Sequence, residues 1–84
     1  MKDKELILKI LTPEGTVFEG AVEAVFLPGS KGRFEVLPGH APIISSLDSG
    51  QVSWRHGGEE SSLSIKGGAI VLDNNELRVC VQTV

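Results

Sequence analysis

Glu76-Leu77-Arg78-Val79-Cys80-Val81 decides the fold. It lies in one of two segments, residues 1–12 and 69–84, that are clear of Gly and Pro for long enough to hold a helix of about 11 or 12 residues. Its apolar residues recur at every second position instead. Leu77, Val79 and Val81 share one face of a pleat while Glu76 and Arg78 take the other, which also sets Cys80 on the outward side. The amino-terminal segment reads the same way. In Leu6-Ile7-Leu8-Lys9-Ile10-Leu11-Thr12, the set Leu6, Leu8 and Ile10 faces inward, and Ile7 and Leu11 flank Lys9 on the opposite face. Both segments therefore read as strands.

Between them, the ten Gly and four Pro leave no more than eight residues from one breaker to the next, too few for ordinary helices. Short strand-like pieces recur there: Val17-Phe18, Val22 to Leu27, Phe34 to Leu37, Ile43 to Leu47, Val52 to Arg55, Leu63 to Ile65 and Ala69 to Leu72. The connectors carry turn chemistry. Pro13-Glu14-Gly15 offers Pro for the second turn position and Gly where φ can be positive. His56-Gly57-Gly58 and Asp73-Asn74-Asn75 suit tight hairpins, and Lys66-Gly67-Gly68 is read as a separator between two strands. The expected fold is all-β: an antiparallel β-sandwich of about ten short strands, or flattened barrel, in a single domain over residues 1–84.

Composition narrows the function classes. A chain of 84 residues buries about 60% of the surface its unfolded form exposes, enough for one core and no large lidded cleft. Eight Lys and Arg against eleven Asp and Glu give a net charge of −3, with the charges scattered. No basic patch is available for nucleic acid or anionic lipid. Ala69 to Leu72 is an apolar run of four residues and no run is longer, far short of the roughly 20 that span a bilayer. The opening Met1-Lys2-Asp3-Lys4-Glu5 lacks the apolar stretch of a secretory signal. With one cysteine, Cys80, the chain reads as belonging to a reducing, cytosolic compartment.

No catalytic or metal-binding constellation stands out. His40 sits in a Pro-bounded turn, where the plain expectation is a ring bonded to a backbone carbonyl. Ser45, Ser46 and Asp48 are near it in sequence, but there is no Gly-x-Ser-x-Gly elbow and no evident oxyanion hole. His40, His56 and Cys80 have no ligand spacing for a metal. Gly29-Ser30-Lys31-Gly32 lacks both the Gly-Lys-Ser/Thr order and the following helix of a phosphate loop, so it reads as a turn. Trp54, Phe18, Phe26 and Phe34 are spread over different strands and read as core rather than as a base-stacking platform. Glu59-Glu60-Ser61-Ser62 reads as a solvated hairpin tip. The least regular stretch is Gly29 to Pro42, where a function carried on loops is expected.

That stretch resembles a known family. Leu27-Pro28-Gly29-Ser30-Lys31-Gly32 followed by Val36-Leu37-Pro38-Gly39-His40-Ala41-Pro42 is similar to the L-P-G-x-x-G … V-x-P-G-H-A-P pattern of the epsilon subunits of F-type ATP synthases. Leu11-Thr12-Pro13-Glu14-Gly15 before Val17-Phe18-Glu19-Gly20, and Ile65-Lys66-Gly67-Gly68-Ala69 before Val71, resemble flanking segments of that family's amino-terminal domain. The resemblance runs from about Leu6 to Val81.

It implies a ten-stranded β-sandwich in the central stalk, a rotor component and not a catalyst. That component binds the gamma subunit and sits on the polar loops of the membrane c-ring, at the cytoplasmic face of a bacterial inner membrane, with no cofactor. Partner-binding residues by resemblance are Gly29, Ser30, Lys31, Gly32, Arg33, Glu35, Pro38, Gly39, His40, Ala41 and Pro42. Family members usually continue into a two-helix carboxy-terminal domain that can inhibit hydrolysis and in some members binds ATP. Residues 1–84 are expected to hold no such helical hairpin, so neither property is carried over. Where the family usually has an acidic residue facing a basic c-ring residue, this sequence has Arg33. Glu35, two positions on and on the same side of an extended segment, is the expected replacement carboxylate. A competing class is the lipoyl or biotinyl carrier domain, also an acidic sandwich of similar size. Its candidate lysines, Lys31 and Lys66, lack the flanking residues that modifying ligases read.

Overall fold

Leu6, Leu8, Ile10, Leu77, Val79 and Val81 are all 4% exposed or less, on the faces that their alternation predicts. The structure, a computed structural model, describes residues 5–84. The charged opening from Met1 to Lys4, read above as no secretory signal, lies outside the described residues. The strands are β1 (Leu6–Thr12), β2 (Gly15–Val22), β3 (Ala24–Gly29), β4 (Gly32–Val36), β5 (Ile43–Leu47), β6 (Gly50–His56), β7 (Glu59–Asp73) and β8 (Glu76–Thr83). The described residues contain no helix.

The ladder runs β2-β1-β8-β7-β5-β3-β4, and β6 pairs with both β3 and β7, folding the sheet back on itself. Two layers result. Rows such as Leu8, Leu77 and Leu72, or Ile10, Val79 and Ile70, belong to one layer. They pack in the same core as Val25, Leu27, Val36, Val52 and Trp54 of the other. Full burial of each such side chain is worth about 1.5–3 kcal/mol.

Eight strands form where about ten were expected. The break expected between Val17-Phe18 and Val22 falls instead at Glu23, after β2, and the Glu23 amide donates to Arg55 O at 2.8 Å. Lys66-Gly67-Gly68 does not separate strands, so two expected pieces merge into β7. Ile65 pairs with Thr83 and Gly67 with Gln82, which leaves Lys66 as the extra residue of a β-bulge. The bulge bends β7 so that Glu59 to Ile65 pairs with β6 and Gly68 to Leu72 pairs with β5. One strand thus serves both layers. Glu59 to Ser62 accordingly lie on β7 opposite Ser53 to His56, exposed but not at a tip. The pairing is antiparallel throughout except that β1 and β8 run parallel. They are the two terminal strands, so the rest of the chain serves as their crossover and no helix is needed for it.

Candidate partner-binding surface

The stretch from Gly29 to Pro42 contains two distinct features joined by β4. The first is a hairpin. Gly29 pairs with Gly32, leaving Ser30 and Lys31 as a two-residue tip, so the turn read at Gly29 to Gly32 is a tight hairpin. Gly29 is required by close approach: a Cβ there would lie 2.7 Å from the Phe34 ring and 2.8 Å from Gly32 O. The tip is bonded to the end of β5. Ser30 N donates to Ser46 O at 3.2 Å, Ser30 Oγ donates to Asp48 Oδ1 at 3.1 Å, and the Ser30 and Ser46 hydroxyls lie 2.8 Å apart.

Arg33 and Glu35 follow on β4, both exposed and on the same side, the geometry their proposed exchange needs. Arg33 is already engaged. Its Nη1 donates to Gln51 O at 2.9 Å. The guanidinium thus ties β4 to β6 across the sheet.

The second feature is the turn Pro38 to Pro42, exposed at every residue. His40 N donates to Leu37 O at 3.1 Å. The His40 ring, through Nδ1, lies 2.7 Å from Ala41 O, the turn-histidine arrangement expected. Gly39 has φ +86°, the left-handed region that favours Gly. Its N–H donates to Asn75 Oδ1 at 2.7 Å. Asn74 and Asn75, with φ of 52° and 62°, form the predicted tight turn between β7 and β8.

These two features are not brought together. Gly29 pairs with Leu47, whereas Ile43 pairs with Leu72 beside the Asn74-Asn75 turn. The hairpin tip and the Pro38–Pro42 turn therefore lie at opposite ends of β4 and β5, roughly 14 Å apart along a five-residue strand. A groove of about 540 Å³ runs between the hairpin and Ile44 to Ser46. A second, of about 450 Å³, is lined by Pro42, Ile43, Ile44, Val71, Leu72 and Asp73. Ile44, 81% exposed, and its cross-strand partner Val71, 44% exposed, are surface residues that the motif reading missed. Adjacency was the available signal: in Ile43-Ile44 and Ile70-Val71 a strand must turn one of each pair outward.

The chemical candidates do not assemble. Ser45 Oγ donates to Ser46 O, Ser46 and Asp48 are bonded to Ser30, and the His40 ring faces its own turn. Among the described residues no group of three or more His, Cys, Asp or Glu could hold a metal, and no helix is long and apolar enough to cross a membrane. Cys80 is free and exposed. Phe18 packs on Trp54 at 5.3 Å and edge-on to His56 at 5.8 Å, and the His56 ring lies 2.8 Å from Ala21 O. Trp54 belongs to the core, and Phe18 and Phe34 pack against it. Phe26, expected in the core, instead alternates with buried Val25 and Leu27 and so lies half-buried on the outer face of β3. Lys66 is at the bulge and Lys31 at the hairpin tip.

A short sandwich that displays rigidly braced turns and open grooves defines a class: a β-sandwich binding module. Residues 5–84 match the family described as ATP synthase, Delta/Epsilon chain, beta-sandwich domain, and the chain belongs to that family. It is 38% identical over 76 residues to the ATP synthase epsilon chain of Prochloron didemni, covering 90% of this chain and 56% of that one. It is 32% identical over 79 residues to the ATP synthase epsilon chain of Leptospira interrogans, covering 94% and 62%. The chain thus spans less than two thirds of these relatives. A chain in the structure of Euglena gracilis mitochondrial ATP synthase, OSCP/F1/c-ring, superposes with a TM-score of 0.86 at 18% identity, covering 96% of this chain and 57% of that one. That likeness speaks to the fold.

Proposed function

We propose that this domain is a non-catalytic rotor element of an F-type ATP synthase, joining the gamma subunit to the c-ring and supporting the coupling of proton transport to ATP synthesis. The observation that carries the reading is the family match across residues 5–84, with epsilon-chain relatives at 38% identity. On this reading the domain is peripheral, at the cytoplasmic face of a bacterial membrane, and needs no cofactor. Its contact surface comprises the Ser30-Lys31 tip with Gly29, Gly32, Arg33 and Glu35, and the turn Pro38-Gly39-His40-Ala41-Pro42. Rigid bracing at both ends of β4 suits the role, because a rotor contact that yields under load loses torque.

Arg33 is held by its own fold, so Glu35 is the carboxylate that meets a basic c-ring residue. The reading is tested by tagging the chain and purifying it from cells. Recovery with gamma and the catalytic subunits is expected. Recovery as a free monomer with no affinity for gamma would defeat the reading. No observation favours a carrier role: Lys31 and Lys66 stand outside any ligase-read context, and the family match is to a different domain.

A further inference from the structure

We infer that Asn75 is the positioning residue of the Pro38–Pro42 turn, a role that rests on the turn being a partner contact. Asn75 lies 36 positions from Gly39 in sequence, yet its Oδ1 accepts the Gly39 N–H at 2.7 Å. Its own carbonyl accepts the Ile7 amide at 2.8 Å, which anchors Asn75 to the first strand of the sandwich. A single residue therefore links the exposed turn to β1 and to the β7–β8 hairpin. It does so from a left-handed conformation, φ 62°, which Asn tolerates better than most non-Gly residues. In that conformation its short amide points at the turn.

The bond adds little to the stability of the sandwich. Gly39 is exposed, so water replaces the lost acceptor and no buried donor is stranded. What the bond fixes is shape. Pro38 to Pro42 are exposed at every residue, and the remaining bonds shown within the turn, His40 N to Leu37 O and the His40 ring to Ala41 O, are local. Such bonds set the curvature of a turn but not its position relative to the body. The Gly39–Asn75 bond sets that position. A turn held in its bound position before the partner arrives spares part of the ordering cost of association.

The test uses Asn75→Gly, which keeps the left-handed backbone and removes only the side chain, and Asn75→Asp, which keeps both the backbone tolerance and the acceptor. Two readouts are taken: hydrogen exchange of the Gly39 amide, and affinity for the purified gamma subunit and for detergent-solubilised c-ring. Asn75→Gly is expected to speed Gly39 exchange and to weaken binding to the partner that the turn meets by about fivefold to tenfold, with the midpoint of thermal unfolding nearly unchanged. Asn75→Asp is expected to restore slow exchange and most of the affinity. Affinity for both partners equal between Asn75→Gly and the parent chain would overturn the inference, as would no rescue by Asn75→Asp. If the parent chain itself binds neither partner, the functional reading fails, while the Gly39 exchange still reports whether Asn75 holds the turn.

Discussion

Gly68 stands opposite Val81 in the β7–β8 ladder with no space for a side chain between them. A Cβ on Gly68 would fall on the Cys80 carbonyl and within 2.8 Å of Val81 Cα, and backbone atoms on a central strand cannot move aside. The position immediately follows the Lys66 bulge, where β7 turns from one layer to the other. Close contact between strands is the consequence of that bend.

Gly68→Ala is therefore expected to cost about 3 kcal/mol or more, lowering the unfolding midpoint by at least about 12 °C in a domain of this size. Gly67→Ala is the control. Its Cβ would meet only Leu47 O, at 3.4 Å, so a cost below about 1 kcal/mol is expected. Thermal unfolding of the two variants beside the parent measures the difference. Equal costs would contradict the bend as described.

The two glycines also show where legibility in the sequence ends. Strand faces were readable because burial follows alternation, and Leu6 to Ile10 and Leu77 to Val81 are buried where the pattern says. The tight Asn74-Asn75 turn was readable from residue type alone. Lys66-Gly67-Gly68 was not, since a glycine pair marks a turn and a bulge equally well, and only cross-strand pairing distinguishes them. The same limit hid the Gly39–Asn75 and Arg33–Gln51 bonds, which join residues 36 and 18 positions apart. In the candidate surface, the motif located both turns but not their separation along β4, nor the exposed Ile44 and Val71 beside one of them.

Leu72 tests the core. It is 1% exposed and pairs with Leu77, itself fully buried and level with Leu8. Leu72→Ala is expected to cost about 2–5 kcal/mol, a large share of the 5–15 kcal/mol typical of a whole domain. Urea denaturation should show the midpoint falling with little change in slope. A change below about 1 kcal/mol would mean that the two layers are not packed as described.

Arg33 and Glu35 share one side of β4 but are expected to respond differently. Arg33→Ala frees Gln51 O to solvent and should cost no more than about 1 kcal/mol of stability, and it should weaken c-ring association less than Glu35→Lys does. Glu35→Lys should leave stability within about 0.5 kcal/mol, as for other exposed sites. It should also weaken c-ring association at least tenfold, since like charges opposed across an interface cost several kcal/mol. Pull-down of detergent-solubilised c-ring by each variant measures the contrast. Undiminished capture by Glu35→Lys would remove Glu35 from the contact.

His40 separates a structural role from a contact role most cleanly. Among the described residues its ring bonds the adjacent carbonyl of Ala41, and the bond that closes the turn, to Leu37 O, comes from its backbone amide, which substitution leaves in place. The sandwich core does not involve the ring, which is exposed. His40→Ala should therefore leave the unfolding midpoint within about 4 °C of the parent, the shift expected for about 0.5 kcal/mol. A loss of gamma or c-ring affinity at unchanged stability is the expected outcome, and it would place the imidazole at the contact. Unchanged affinity for both partners would leave His40 as a turn residue and confine the contact at this end to the apolar groups around it, Leu37, Pro42 and Ile44.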